Sequence, residues 1–259
     1  MDWANKFYST TGKWWGPAEA KITQRDYLRA STIKKLGSNV QSVLELGCSY
    51  GNTAAACAEK GFNVTAIELS DRIDFSKEFE KKKYSGSLKF IRGSFYDIEI
   101  DNKFDCVTYW NGLGIGTDFD QRKLLKRIAR WLKPGGIALV DVQNPFVWAK
   151  WALENEDINK RARPEAGYHY NVSEKISFDP LKNRFTDTWW ETEIPKEKII
   201  QDLRCYSPHD FQLLLESTGL QLDFIEVDGK KIDLNALVDI SDNNPLFDAS
   251  EYLAKLIKV

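Results

Sequence analysis

No stretch of this sequence stays apolar for the roughly 20 residues that a bilayer-crossing helix requires, so no such span is expected within it. Charge of either sign is not in excess. Lys and Arg number 36 against 38 Asp and Glu, which gives neither the basic surface of a nucleic-acid binder nor an acidic tail, and argues against an anionic membrane as partner. The four cysteines, Cys48, Cys57, Cys106 and Cys205, form no CxxC pair, which removes the usual zinc ribbon and redox dithiol. Reduced, buried thiols are expected, hence a cytoplasmic setting and no metal. The opening MDWANKFYSTTGKWWG lacks both the basic start and the apolar core of a signal peptide. Internal repeats and low-complexity linkers are missing too.

What is there suits one large domain. With 259 residues and 42% apolar content the chain can bury a full core and carry a smaller appendage. A small molecule is the expected partner, with no nucleic acid and no membrane, and the protein is expected to be a monomer or homodimer.

After an aromatic leader, Ile22 to Leu36 reads as an amphipathic helix ended by Gly37. From Ser42 short apolar runs alternate with helical stretches. Strands are expected at Ser42 to Leu46, Asn63 to Leu69, Leu88 to Arg92, Phe104 to Trp110 and Ile137 to Gln143. Helices are expected at Gly51 to Lys60, Arg72 to Tyr84 and Asp118 to Leu132. This rhythm implies right-handed crossovers and a parallel sheet covered on both faces, with ligands at the carboxyl ends of the strands.

Residues 144–198 break the rhythm. Strand-like alternation in Ser173 to Phe178 and Phe185 to Glu193 flanks the turn Asp179-Pro180-Leu181-Lys182-Asn183, which reads as an inserted antiparallel cap. Ser207-Pro208-His209-Asp210 opens another helix, with Ser as N-cap and Pro at the first helical position. Leu220 to Val227 is a further strand. Tyr252 to Val259 fits an antiparallel edge strand or a final helix. The division expected is 1–38 as a helical leader or lid and 39–259 as the main domain, with the cap at 144–204.

The turn Gly47-Cys48-Ser49-Tyr50-Gly51 lies between the first strand and its helix, where glycines let a ligand approach the backbone and the helix start favours negative charge. A dinucleotide fingerprint from Gly47 needs glycine where Ser49 and Asn52 stand, which disfavours a nicotinamide-dependent oxidoreductase. A phosphate-cradling loop would need a Lys-Ser/Thr pair that the turn lacks. An acid at Glu45 and a second at Glu68, ending the next strand, remain. Glu68 is placed to accept both hydroxyls of a ribose.

In these residues the chain resembles the class I S-adenosylmethionine-dependent methyltransferases, over roughly Val40 to Val142. Leu44-Glu45-Leu46-Gly47-Cys48-Ser49-Tyr50-Gly51 looks like the family's first motif and Ala66-Ile67-Glu68-Leu69-Ser70 like its ribose-binding strand. Arg92 to Asp97 looks like the adenine turn, Phe104-Asp105-Cys106-Val107 like the fourth strand, and Leu132-Lys133-Pro134-Gly135-Gly136 like the approach to the fifth. The resemblance implies an α/β fold with a Rossmann-like, mostly parallel seven-stranded sheet, S-adenosylmethionine as cofactor and S-adenosylhomocysteine as product. It implies cofactor contacts from Glu45, Gly47, Ser49, Gly51, Glu68, Leu69, Ser94, Phe95, Trp110 and Asn111, with Tyr8 and Arg25 added by a leader folded over the ligand. Two departures stand out: Ser49 replaces the usual middle glycine, and Ser94 stands where an acid often meets the adenine.

The aromatics of the leader and cap divide between packing and a substrate pocket, for which Trp14, Trp15, Phe146, Trp148, Tyr168 and Tyr170 are the candidates. His169, in Gly-Tyr-His-Tyr-Asn, is the candidate general base. The expected activity is methyl transfer to nitrogen or oxygen of a small molecule. A peptide or protein amine or carboxylate as acceptor, and a non-catalytic binding protein of the same fold, remain as alternatives.

Overall fold

A computed structural model describes residues 2–154, 157–236, 239 and 244–259. Helices α1 (Asp2–Glu19) and α2 (Gln24–Leu36) come first. The Asp26 carboxylate accepts from both the N–H and the hydroxyl of Thr23, which fixes the start of α2. Next come β1 (Ser42–Leu46), α3 (Asn52–Glu59) and β2 (Asn63–Glu68). A 3-10 turn, Asp71–Ser76, then runs into the short α4 (Lys77–Glu80). The expected helix over 72–84 is thus only partly formed. Arg92 pairs with Asp71 and Asp74 at 3.1 and 2.7 Å and draws the turn against the strand end, and the Tyr84 hydroxyl donates to the Phe79 carbonyl at 2.8 Å, closing the helix early.

Strands β3 (Ser87–Arg92) and β4 (Phe104–Tyr109), helix α5 (Asp118–Trp131) and strand β5 (Leu132–Gln143) complete the alternating half. Side chains on β1 point alternately to the two faces of the sheet. Leu44 and Leu46 enter the core with Leu124, Leu125, Ile128 and Phe211, while Val43 packs with Ala30, Ile33, Ala54 and Cys57. Glu45 shares the face of Val43.

Beyond β5 lie α6 (Pro145–Leu153), β6 (Ile158–Lys160), β7 (Val172–Asp179), β8 (Arg184–Glu191) and β9 (Ile199–Arg204). Strands β6 to β9 pair antiparallel, in that order, as a separate sheet, the inserted cap. The chain returns through α7 (Pro208–Leu215), β10 (Leu220–Val227), β11 (Lys230–Ile232) and β12 (Glu251–Lys258).

The main sheet has the order β11-β10-β12-β5-β4-β1-β2-β3, with β1 to β5 parallel and the other three antiparallel. It holds eight strands rather than seven. The extra one, β11, is three residues long and pairs with the end of β10 through Ile225 and Ile232, too short a run to show in the sequence pattern. The last segment is a strand, yet not an edge: β12 pairs with both β5 and β10, so Tyr252, Ala254 and Leu256 are buried. Among the described residues, no helix is long and apolar enough to cross a membrane.

Helix α1 lies between the cap and the main sheet. Phe7 and Trp14 pack with Val172, Trp189 and Ile199 of the cap. The indole N–H of Trp14 donates to Glu191 at 3.0 Å, and Trp15 meets Trp189 edge-on at 4.9 Å. On α6, Trp148 stacks on Phe185 with ring centroids 3.7 Å apart.

Candidate functional site

The strand order reverses between β1 and β4, and the crevice outside the carboxyl ends of a parallel sheet at such a point is its natural ligand site. A cavity of about 550 Å³ opens there, within the range of roughly 300 to 1,000 Å³ typical of small-molecule sites. The turns after β1, β2, β3 and β4 form its floor. Helix α1 forms its roof through Ala4, Asn5, Tyr8, Ala18 and Glu19.

The turn after β1 needs left-handed backbone at Gly47 (φ +63°), Ser49 (φ +54°) and Gly51 (φ +86°). A Cβ on Gly51 would also lie 2.6 Å from the Phe90 ring. Gly51 does not line the cavity, so its service is to shape the turn rather than to face a ligand.

Glu68 binds this turn to the end of β2. One carboxylate oxygen accepts from the Ser49 N–H at 2.8 Å; the other accepts from the N–H and hydroxyl of Ser70 at 2.8 and 2.7 Å. Both oxygens are engaged, and the residue still borders the cavity. Glu45, buried beside it, has its carboxyl pushed up to about 8 by burial, against the pull of Arg29 and with a push from Asp26 and Glu68.

At the other end of the floor, the Arg29 guanidinium pairs with Asp141 at 3.1 Å and lies 4.9 Å from the Trp110 ring centroid. Asp141 also accepts from the Asn111 N–H at 3.2 Å, which fixes the turn after β4. Four lining residues carry buried polar atoms without a protein partner: the Tyr50 hydroxyl, Asn52 Oδ1, the Trp110 indole N–H and Asn111 Oδ1. Buried polar groups are rarely left unpaired, so these four atoms are free to pair with a bound ligand or with water.

Of the residues singled out in the sequence, Glu45, Gly47, Ser49, Glu68, Leu69, Ser94, Phe95, Trp110, Asn111, Tyr8, Arg25 and Tyr168 line the cavity. Arg25 sits at its edge, more than half exposed, and pairs with Glu251 at 3.2 Å. Others stand elsewhere. Trp14, Trp15 and Trp148 are consumed in packing α1 and α6 against the cap, as described above. Phe146 meets Phe247 at 5.8 Å on the surface, and Tyr170 is exposed. His169 is exposed and outside the cavity: within Gly-Tyr-His-Tyr-Asn it is Tyr168 that faces inward.

Arg72 is one lining residue that sequence reasoning missed. A lone Arg opening a charged segment reads as solvated, and nothing local shows that α1 will come to rest on it. Tyr50, Asp26 and Arg29 also escape notice, because their neighbours in the site are remote in sequence.

These features match a known family. The family described as "Methyltransferase domain" matches residues 19–223. The chain belongs to it. Membership gives the chain a methyltransferase domain over those residues, the class of fold and chemistry that the motif order implied. Among relatives, the cypemycin N-terminal methyltransferase of a Streptomyces species is 36% identical over 108 residues, 40% of this chain and 43% of that protein. The chain thus spans less than half the length of this relative. The CcbJ methyltransferase of Streptomyces caelestis shares the fold, with a TM-score of 0.70 at 17% identity over 97% of this chain and 96% of that one. So does CalS10, an amino pentose methyltransferase of Micromonospora echinaspora solved with S-adenosylmethionine, with a TM-score of 0.60 at 14% identity over 91% and 90% of the two chains.

Proposed function

We propose that this methyltransferase acts on an amine nitrogen of a small molecule in the cytoplasm, with the cavity under α1 holding the cofactor. In this reading residues 1–38 serve as a lid and residues 144–204 as a cap on the domain formed by 39–259. The observation that carries it is the enclosure of Glu45, Gly47 and Glu68 at the switch point of the sheet, beneath α1.

The residues present fit the cofactor. In our reading Ser94 and Phe95 take the adenine after β3, Glu68 the ribose, and Asn52, Trp110 and Asn111 the amino-acid end; what supports it is that all six line the cavity and that the last three carry unpartnered polar atoms. When bound, S-adenosylmethionine supplies a methyl group on a cationic sulfur. The chain's own work is to orient that group and the acceptor and to exclude water, and orientation contributes up to about 7 to 11 kcal/mol in favourable cases. Tyr8, Tyr50 and Tyr168 place aromatic side chains at the cavity wall.

Nitrogen is favoured over oxygen because a neutral amine needs no strong base, and neither histidine lines the cavity. Glu19, whose carboxyl burial raises, borders the same space and is the group we assign to take the proton that the methylated ammonium releases. An amino sugar as acceptor accords with the likeness to CalS10, an amino pentose methyltransferase. A second reading, the amino terminus of a peptide, is supported by the match to the cypemycin enzyme.

Calorimetry with S-adenosylhomocysteine and mass spectrometry of products from amino sugars and short peptides test both. No binding at millimolar ligand sinks the proposal. Methylation confined to peptides replaces the first reading by the second.

A further inference from the structure

Ser49 occupies left-handed backbone at φ +54°, a conformation that disfavours a β-carbon and that glycine adopts readily. Glycine would satisfy that backbone without strain and would keep the N–H bond to Glu68. What serine adds is a hydroxyl. That hydroxyl accepts from Arg72 Nη1 at 3.1 Å.

The rest of the Arg72 guanidinium belongs to the roof. Its Nε donates to the Tyr8 carbonyl at 3.0 Å and its Nη2 donates to the Thr11 hydroxyl, both on α1. The charge lies between two rings, 5.1 Å from the centroid of Tyr8 on α1 and 5.0 Å from that of Tyr50 on the turn. Gly12 leaves room for the arginine stem: a Cβ there would lie 2.9 Å from Arg72 Cγ. A planar fork of donors thus joins α1 to the turn after β1, a geometry that a lysine ammonium does not reproduce.

We propose that Arg72 is a positioning residue that, through Ser49 and Thr11, latches α1 onto the cofactor-binding turn, so that opening the latch speeds cofactor release. The proposal rests on the cofactor reading of the cavity. Five residues of α1 line that cavity, so lifting the helix uncovers a ligand bound beneath them. Two further bonds tie the helix to the floor of the site, from the Asp71 N–H to the Ser9 hydroxyl at 3.0 Å and from Asn52 Nδ2 to the Glu19 carbonyl at 2.8 Å, while Trp14 and Tyr8 bond to the cap through Glu191 and Gln201. Arg72 lies between them. It alone of these ties reaches the strained serine, so the shape of the turn and the closure of the helix become one equilibrium.

The test uses the full chain with Thr11→Val and Ser49→Gly. Thr11 does not line the cavity, and because its hydroxyl also donates to the Phe7 carbonyl at 2.9 Å within α1, ligand release is read beside exchange and compared with Ser49→Gly, which leaves that bond in place. Amide hydrogen exchange without ligand is expected to speed up about tenfold over residues 8–12 in both variants, and stopped-flow fluorescence to show S-adenosylhomocysteine leaving about five- to tenfold faster, as loss of one charge-assisted bond implies. Ser49→Gly is expected to melt no lower than the parent. Unchanged exchange and release in Thr11→Val overturn the latch, as does faster release in Ser49→Gly alone, which would mean a direct contact. If the parent protein binds no S-adenosylhomocysteine, the cofactor reading fails instead, and the exchange measurement still decides whether the latch holds α1.

Discussion

The Ser49 N–H donates to the Glu68 carboxylate at 2.8 Å, so the acid that ends β2 and the turn that follows β1 are one unit. The residue expected to hold the ribose also holds the strained backbone beside it.

Glu68→Gln therefore removes a charge that three donors share and disturbs the Ser49 turn. Hydrogen bonds to charged groups contribute roughly 1.5 to 3 kcal/mol each. Calorimetry should show S-adenosylhomocysteine bound about 30- to 100-fold more weakly, with the variant still folded.

Gly51→Ala places a Cβ against the Phe90 ring in a backbone region that alanine avoids. A loss of about 1 to 3 kcal/mol is expected, seen as a melting temperature several degrees lower. Phe90→Leu in the same chain should recover part of it, because the steric component is relieved while the backbone component stays.

Among the described residues five carboxyls are raised mainly by burial: Glu45 and Asp187 to about 8, Glu251 to about 7, and Glu19 and Asp141 in the same direction. The sign follows directly. An acid whose folded value exceeds its unfolded one binds its proton more tightly when folded, so its contribution is complete below the ordinary carboxylate range and is lost as pH rises toward 8. Urea unfolding from pH 5 to 8 should show falling stability. Glu45→Gln should flatten the slope by up to about 1.4 kcal/mol per pH unit, the share of one titrating group.

His169→Ala should leave turnover within about twofold of the parent, since the imidazole is exposed outside the cavity. A product assay with any accepted amine checks this. A hundredfold loss would return His169 to the role of base.

The alternating half of the fold was legible because burial writes itself into sequence. Strands β1 to β4 begin and end within a residue or so of their apolar runs, and Ser207 and Thr117 cap α7 and α5 through their side chains. The floor of the site was legible too, since Glu45, Gly47, Glu68 and Asn111 lie at strand ends that the period fixes. The side chains of the leader and cap were not. An aromatic in a short polar segment has the same local signature whether it fills a pocket or packs a sheet, and Trp14, Trp15 and Trp148 proved to pack.

By itself, then, the sequence determined the parallel half of the sheet, its order of motifs and the acids at its edge, because each depends on neighbours within one strand and one turn. The tertiary structure decided the rest: that β12 enters the sheet between β5 and β10, that α1 roofs the cavity, and that Arg72 joins Thr11 to Ser49. Those contacts are made between segments distant along the chain. No local pattern of polarity records which of them will meet.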